Sequence, residues 1–243
     1  MVLGVGGSNP LTHPFPQVEP RSACGFRLLL QSRPALITQS GYPEESPIRI
    51  EAVIFDLDGT LTRPVLDFDQ IRAAIGGIEG PILEAVEKMP EPQQRRAHAI
   101  LADYEADAAQ RSELNPGAAE LLQRLRDQGR LLGLLTRNSL TSVDTILRKH
   151  GMSFDAMVTR NDELPVKPDP APYLHLCTSL EVQADNSLMV GDYKFDLYTA
   201  QRAGAKAVLL TTNSHYESFA AQADYLIHNL SEVTDIIAAI ETR

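Results

Sequence analysis

The sequence predicts an α/β fold: an open, Rossmann-like parallel sheet with helices on both faces, and a small all-helical cap inserted after the first strand. Three observations predict it. Short, almost wholly apolar runs recur along the chain, which suits strands covered on both faces rather than half-exposed ones. Helical patterns with start and stop signals separate those runs. One stretch of helices without a strand interrupts the alternation directly after the first run.

The elements follow in order. Residues 1–47 hold seven of the sixteen prolines and no sustained apolar period, so they read as a poorly ordered N-terminal extension. Their few acids (Glu19, Glu44 and Glu45) beside Arg21, Arg27 and Arg33 also suit a transit peptide for organellar import. The first strand is "RIEAVIFDL", from Arg49. Residues 63–114 contain "DFDQIRAAIG", "GPILEAVEKMP" and "PQQRRAHAILADYEADAAQ", three or four helices that form the expected cap. The core is expected over 48–62 and 115–243. Its first helix, "NPGAAELLQRLRDQG", has Asn115 as candidate N-cap, Pro116 at the first helical position and Gly129 at its end. "LLGLLT" (131–136) is the second strand. "SLTSVDTILRKHG" runs from the cap Ser139 to the stop Gly151. "DAMVT" (155–159) is a weaker strand. "SLMVGD" (187–192) and "AVLLTT" (207–212) flank the helix "DLYTAQRAG". "ADYLIHN" (223–229) and "SEVTDIIAAIETR" close the chain. Strand–helix alternation of this kind winds into a parallel sheet with right-handed crossovers.

Composition narrows the function. A formal net charge of −10 and a pI near 5.1 argue against a nucleic-acid partner, which would need a basic face. An anionic substrate must then be met by a few local cations or a metal. No apolar run reaches the roughly 18 residues of a membrane span. Cys24 and Cys177 lack metal-ligand spacing and make no disulfide framework, so they read as free thiols of a reducing, cytoplasmic protein.

Ligands of open α/β sheets bind at the carboxyl ends of the strands. The first strand ends in Asp56-Leu-Asp58-Gly59-Thr60, the second in Thr136-Arg137-Asn138, and the fourth in Gly191-Asp192 with Asp196 one helical turn on. Lys167, before Pro168, falls near the same edge. Asp56 and Asp58 share a side of the strand and repel, so something must offset them. Asp56, Asp58 and Asp192 can share a hard cation through oxygen, which suggests Mg²⁺. Lys167 adds a point charge. The Thr136 hydroxyl and the following backbone N–H groups can hold phosphate oxygens. Gly59 permits the sharp turn. These are the parts of a phosphoryl-transfer site in which one aspartate attacks phosphorus.

In order and on the expected elements, Asp56-x-Asp58-Gly59-Thr60, Thr136, Lys167 and Gly191-Asp192-xxx-Asp196 resemble the four motifs of the haloacid dehalogenase superfamily. The "NPGAAELLQRL" helix and the helical insertion are similar to the subfamily containing phosphoglycolate phosphatase, although 63–114 is shorter than the caps associated with it. The resemblance implies a Mg²⁺-dependent phosphatase of a small phosphorylated metabolite, a monomer or homodimer acting on neither membranes nor nucleic acid. It implies that Asp56 is the nucleophile and forms an aspartyl-phosphate. Asp58 would protonate the leaving alcohol and then activate water. The Asp56 carboxylate, the Asp58 carbonyl and Asp192 would hold Mg²⁺. Asp196 would orient Lys167 or a water on the metal. Thr136, Asn138 and Lys167 would bind the phosphoryl group, and Gly59, Thr60 and Gly191 would support the loops. The part played by Arg137 is open.

Other residues read more plainly. His98, Arg95 and Arg96 read as a solvated helix face, His175 and Cys177 as core, and Lys194 as a surface lysine whose other reading is added charge near the substrate. The loop Gly77–Pro81 is the candidate for substrate selection. A phosphosugar mutase of the same superfamily must keep water from its intermediate, and a short cap argues against that. A dehalogenase would lack Asp58. A catalytically idle binding module would have lost one of Asp56, Asp58, Lys167 or Asp192.

Overall fold

The structure is a computed structural model that describes residues 48–242. The N-terminal extension and Cys24 lie outside the described residues. The elements are β1 (Ala52–Phe55), α1 (Phe68–Ile75), α2 (Ile82–Glu87), α3 (Glu91–Arg111), α4 (Ala118–Asp127), β2 (Leu131–Leu135), α5 (Leu140–His150), β3 (Ala156–Val158), α6 (Ala171–Ser179), β4 (Ser187–Gly191), α7 (Lys194–Ala203), β5 (Lys206–Leu210), β6 (Tyr225–Ile227) and α8 (Val233–Glu241). The six strands form one parallel sheet in the order β3-β2-β1-β4-β5-β6.

That order puts β1 at the centre and reverses direction beside it, so the crevice falls at the carboxyl ends of β1, β2 and β4. Register sharpens this. Phe55 pairs with Leu134 on one side and with Val190 on the other. The residues that follow β1, β2 and β4 therefore leave the sheet at nearly one level.

Both faces are covered, as apolar strands require. Val53, Phe55, Leu132, Leu134, Leu188 and Val190 pack with Leu121, Leu125, Val143, Ile146 and Ile237 of α4, α5 and α8. Ala52, Ile54, Met189 and Leu209 pack on the other face with Tyr173, Leu176, Leu197 and Ala200 of α6 and α7. The edge strands β3 and β6 are short and half-exposed, with Met157 and Leu226 turned outward. For β3 this matches the weaker apolar pattern of "DAMVT".

Three helices, α1 to α3, lie between β1 and α4, and they share a separate apolar cluster of Ile71, Ile82, Leu83, Val86, Ala97 and Leu101. Asp67 caps α1 by accepting from the Asp69 and Gln70 backbone N–H groups. Other helix signals behave as read: Ser139 caps α5, Gly151 ends it in the left-handed conformation, and Gly129 follows α4 with φ +72°. No helix among the described residues is long and apolar enough to cross a membrane.

Asn115 is a correction. It does not cap α4, whose N-cap is Gly117 in the left-handed region. Instead the Asn115 side-chain amide reaches the carbonyls of Gly59, Thr60 and Thr62 at 3.0, 2.7 and 3.1 Å. Its backbone N–H donates to Leu61 O. The Asn-Pro pair matched a local cap signal, but the buried carbonyls of the turn after β1 needed donors more. Asn115→Ala is expected to cost roughly 1–3 kcal/mol, because it strands those acceptors. Thermal unfolding should show it as a drop of several degrees; an unchanged melting temperature would contradict it.

Candidate active site

The turn after β1 builds the site. Leu57 and Leu61 are fully buried and anchor it. Leu57 O accepts from the backbone N–H groups of Leu61 and Thr62, and Gly59 N–H donates to Thr62 O. The turn needs glycine twice over. Gly59 has φ +83°, and a Cβ there would lie 2.3 Å from Asp192 Oδ2. Gly191 is similarly tight, since its Cβ would meet Asp196 at 2.3 Å. The close approach of β1's turn to β4's end brings the acids together.

Asp56, Asp192 and Asp196 are buried and have carboxylate oxygens within 4.8 Å of one another. Lys167 is 3% exposed, and its Nζ donates to Asp56 Oδ1 at 2.5 Å and to Asp196 Oδ1 at 2.6 Å. Asp196 is fixed from its other oxygen by the Tyr193 backbone N–H at 3.0 Å. It therefore orients Lys167 while capping α7.

Asp58 sits apart from this group of three. Thr62 Oγ1 donates to Asp58 Oδ1 at 3.0 Å, and Asn138 Nδ2 donates to Asp58 Oδ2 at 2.5 Å. Thr136 is buried at the end of β2, and its Oγ1 accepts from Asn138 N–H at 3.2 Å. Thr60 is buried with a hydroxyl that has no partner among the described residues.

The electrostatics follow from one cation serving several acids. Burial pushes the Asp56 carboxyl up to about 7, with Lys167 opposing and Asp196 adding to the rise. Burial also raises Asp192 well above the carboxylate range, reinforced by Asp56 and Asp196. Burial raises Asp58, and the hydrogen bonds from Asn138 and Thr62 moderate it. Burial works against the Lys167 ammonium, but Asp196 and Asp56 outweigh it and hold its pKa above the ordinary value. The oxygens of Asp56, Asp192 and Asp196 are hard donors that could hold a divalent cation such as Mg²⁺.

A cavity of about 1210 Å³ opens over these residues. Its lining includes Asp56, Asp58, Thr136, Asn138, Lys167, Asp192 and Asp196 from the strand ends. Leu66, Phe68, Arg72 and residues 78–81 come from the helical segment. Most of the candidate loop Gly77–Pro81 thus faces the site. Lys194 does too, half-buried, which corrects its reading as a plain surface lysine. His175 is exposed rather than core, whereas Cys177 is buried. His98, Arg95 and Arg96 are exposed, and Arg95 pairs with Glu91 on its own helix.

Two ion pairs escaped sequence reasoning. Arg137 makes two hydrogen bonds to Glu84 of α2, donates to Lys167 O, and lies over the Phe195 ring at 4.7 Å. Glu105 of α3 is 3% exposed, pairs with Arg160 and accepts from Ser139 Oγ at 2.7 Å. A signal for Glu105 exists. It falls in the apolar stripe Ala97, Leu101, Ala108, where a carboxylate needs a partner. Nothing local marks Glu84.

A family model described as haloacid dehalogenase-like hydrolase matches residues 65–210. A haloacid dehalogenase-like hydrolase domain-containing protein of Arabidopsis thaliana is 32% identical over 219 residues, covering 83% of this chain and 89% of the relative. A phosphoglycolate phosphatase of Rhodospirillum rubrum is 31% identical over 191 residues, 66% of this chain and 79% of that one. Among solved structures, a predicted phosphoglycolate phosphatase from Haemophilus somnus superposes with a TM-score of 0.62 at 24% identity, covering 77% of this chain and 97% of its own. At that identity the structural likeness speaks for the fold alone.

Proposed function

The chain belongs to the haloacid dehalogenase-like hydrolases, and on that footing we propose that it is a Mg²⁺-dependent phosphatase of a small, phosphoglycolate-like phosphomonoester. The observation that carries this reading is the different holding of the two aspartates. Asp56 meets a buried ammonium at 2.5 Å, whereas Asp58 is held by two neutral donors.

An Asp56 oxygen attacks phosphorus and displaces the alcohol, leaving an aspartyl-phosphate. Lys167 offsets charge on the nucleophile and on the incoming phosphoryl oxygens. The Thr136 hydroxyl and the backbone after it orient the phosphoryl group with Asn138. Asp58, whose pKa is raised, carries the proton for the leaving oxygen. Once ionised, it takes a proton from the water that opens the intermediate. Thr62 and Asn138 keep its carboxyl aimed for both steps. Mg²⁺, held by Asp56, Asp192 and the Asp58 carbonyl with Asp196 beside them, would supply positive charge toward the phosphoryl oxygens. We read 63–114 as a cap over the core of 48–62 and 115–243; its own apolar cluster and its share of the cavity lining support this.

The test is release of phosphate from p-nitrophenyl phosphate and a panel of phosphometabolites, with Mg²⁺ and with a chelator. Release that needs Mg²⁺ is expected; metal-independent release, or none, contradicts the reading. The pH dependence has a definite sign. Because folding raises the Asp56 pKa to about 7, the metal-free fold takes up a proton and loses stability as pH climbs from the ordinary carboxylate range through about 7. Mg²⁺ binds the ionised form. Its stabilising shift in melting temperature should therefore be largest above pH 7 and should fade as pH falls toward 4. A shift that grows on acidification would contradict the assignment.

A further inference from the structure

The chain carries ten more acidic than basic charges, yet one ammonium in the cavity has no carboxylate partner among the described residues. Five lysines and arginines line the cavity: Arg72, Arg137, Arg160, Lys167 and Lys194. Four are ion-paired, Arg72 to Asp69 at 2.6 Å, Arg137 to Glu84 at 2.7 Å, Arg160 to Glu105 at 2.5 Å, and Lys167 to Asp56 and Asp196. Lys194 forms no ion pair among the described residues, although Asp67 and Glu79 line the same cavity.

Its surroundings give it a place. Lys194 opens α7, two residues after Asp192. Its Nζ stands 5.5 Å from the centroid of the Tyr193 ring and 5.9 Å from that of Phe195. Those rings pack edge to face at 5.0 Å. Phe195 is stacked under the Arg137 guanidinium, and Tyr193 packs on Phe219 at 5.4 Å. An aromatic wall braced on both sides thus carries a half-buried cation in the lining of the cavity that also holds Thr136, Asn138 and Lys167. Ring faces compensate an ammonium only in part, so the remaining attraction is for an anion entering the cavity. The phosphoryl group already has Lys167, Thr136 and the metal cluster. The charge left over suits the other end of the substrate.

We propose that Lys194 is a specificity-determining residue that binds a second anionic group, a carboxylate, on the alcohol half of the phosphomonoester. The proposal rests on the phosphatase reading and deepens it. It also accounts for the position: Lys194 opens α7 two residues after Asp192 and lines the same cavity as the strand-end residues.

The experiment uses the whole chain with Mg²⁺ and reads competition against p-nitrophenyl phosphate hydrolysis. The competitors are two matched pairs: 2-phosphoglycolate with ethylene glycol phosphate, and 3-phosphoglycerate with glycerol 3-phosphate. Each pair differs only in carboxylate against hydroxymethyl. For at least one pair, the carboxylate member should compete about tenfold more tightly in the wild type, the scale of one charge-assisted contact. In Lys194→Met that preference should fall to near one, and Lys194→Arg should retain most of it. An unchanged preference in Lys194→Met would overturn the proposal. So would an equal weakening of both members, which would put the charge on the phosphoryl group, or a wild type that favours neither carboxylate. Absence of p-nitrophenyl phosphate hydrolysis in the wild type would instead count against the phosphatase reading.

Discussion

Asp56→Asn is expected to lose Mg²⁺-dependent phosphate release by on the order of 10⁴-fold or more, because it removes the attacking oxygen's charge. The fold should not suffer. Asn is nearly isosteric, and the substitution takes one negative charge out of a buried group of three carboxylates served by one ammonium. Burial holds the Asp56 pKa at about 7, so the ionised form costs stability above that pH. At pH 8 without metal, the variant should melt at or above the wild-type temperature. Lys167 keeps its contact with Asp196 at 2.6 Å. Lost activity with kept or raised stability is the mark of a residue placed for chemistry. Phosphate release at the wild-type rate would remove Asp56 from the nucleophile's role.

Lys167→Met should lose both. The phosphoryl group loses its neutralising charge, a loss of about 10²–10³-fold in turnover by comparison with other preorganised electrostatic contacts. The fold loses the one cation shared by Asp56 and Asp196. Breaking a buried pair by removing one partner costs roughly 3–5 kcal/mol. The pH sign separates this from a packing defect. Without Lys167 the Asp56 carboxyl, already held at about 7 by burial, rises further above its unfolded value, so the penalty is full above that raised value. It shrinks as pH falls and Asp56 takes up a proton. The melting-temperature deficit against wild type should therefore narrow between pH 8 and pH 5. A deficit constant with pH would mean that the lysine stem, rather than its charge, stabilises the core.

How much was legible in the sequence can be judged residue by residue. The six strands were readable because parallel strands buried on both faces leave unbroken apolar runs, and Val53–Phe55 and Leu188–Val190 are such runs. Asp56, Lys167 and Asp192 could be placed at one edge because the motifs end strands or precede a helix, and the topology then brings them together. What failed needed partners distant in sequence. Asn115 carried a cap's local signature, yet its amide reaches carbonyls more than fifty residues away. The Glu84–Arg137 pair spans a similar separation, and no local pattern announces it. Spacing does not separate the two aspartates: the carboxylate oxygens of Asp56, Asp192 and Asp196 lie within 4.8 Å of one another, whereas both carboxylate oxygens of Asp58 accept from Thr62 and Asn138. Lys194 admits two readings from sequence, a surface lysine or charge near the substrate, and only the fold shows that it lines the cavity.

The division of labour between the two aspartates is the centre of the account, and trapping the intermediate tests it most directly. Asp58→Asn keeps the nucleophile but removes the base that drives water onto the intermediate. Acid-quenched during turnover of p-nitrophenyl phosphate with Mg²⁺, that variant should carry one phosphoryl group, and peptide mass spectrometry should locate it on Asp56. A phosphoryl group on another residue, or continued turnover with none trapped on Asp56, would contradict the account.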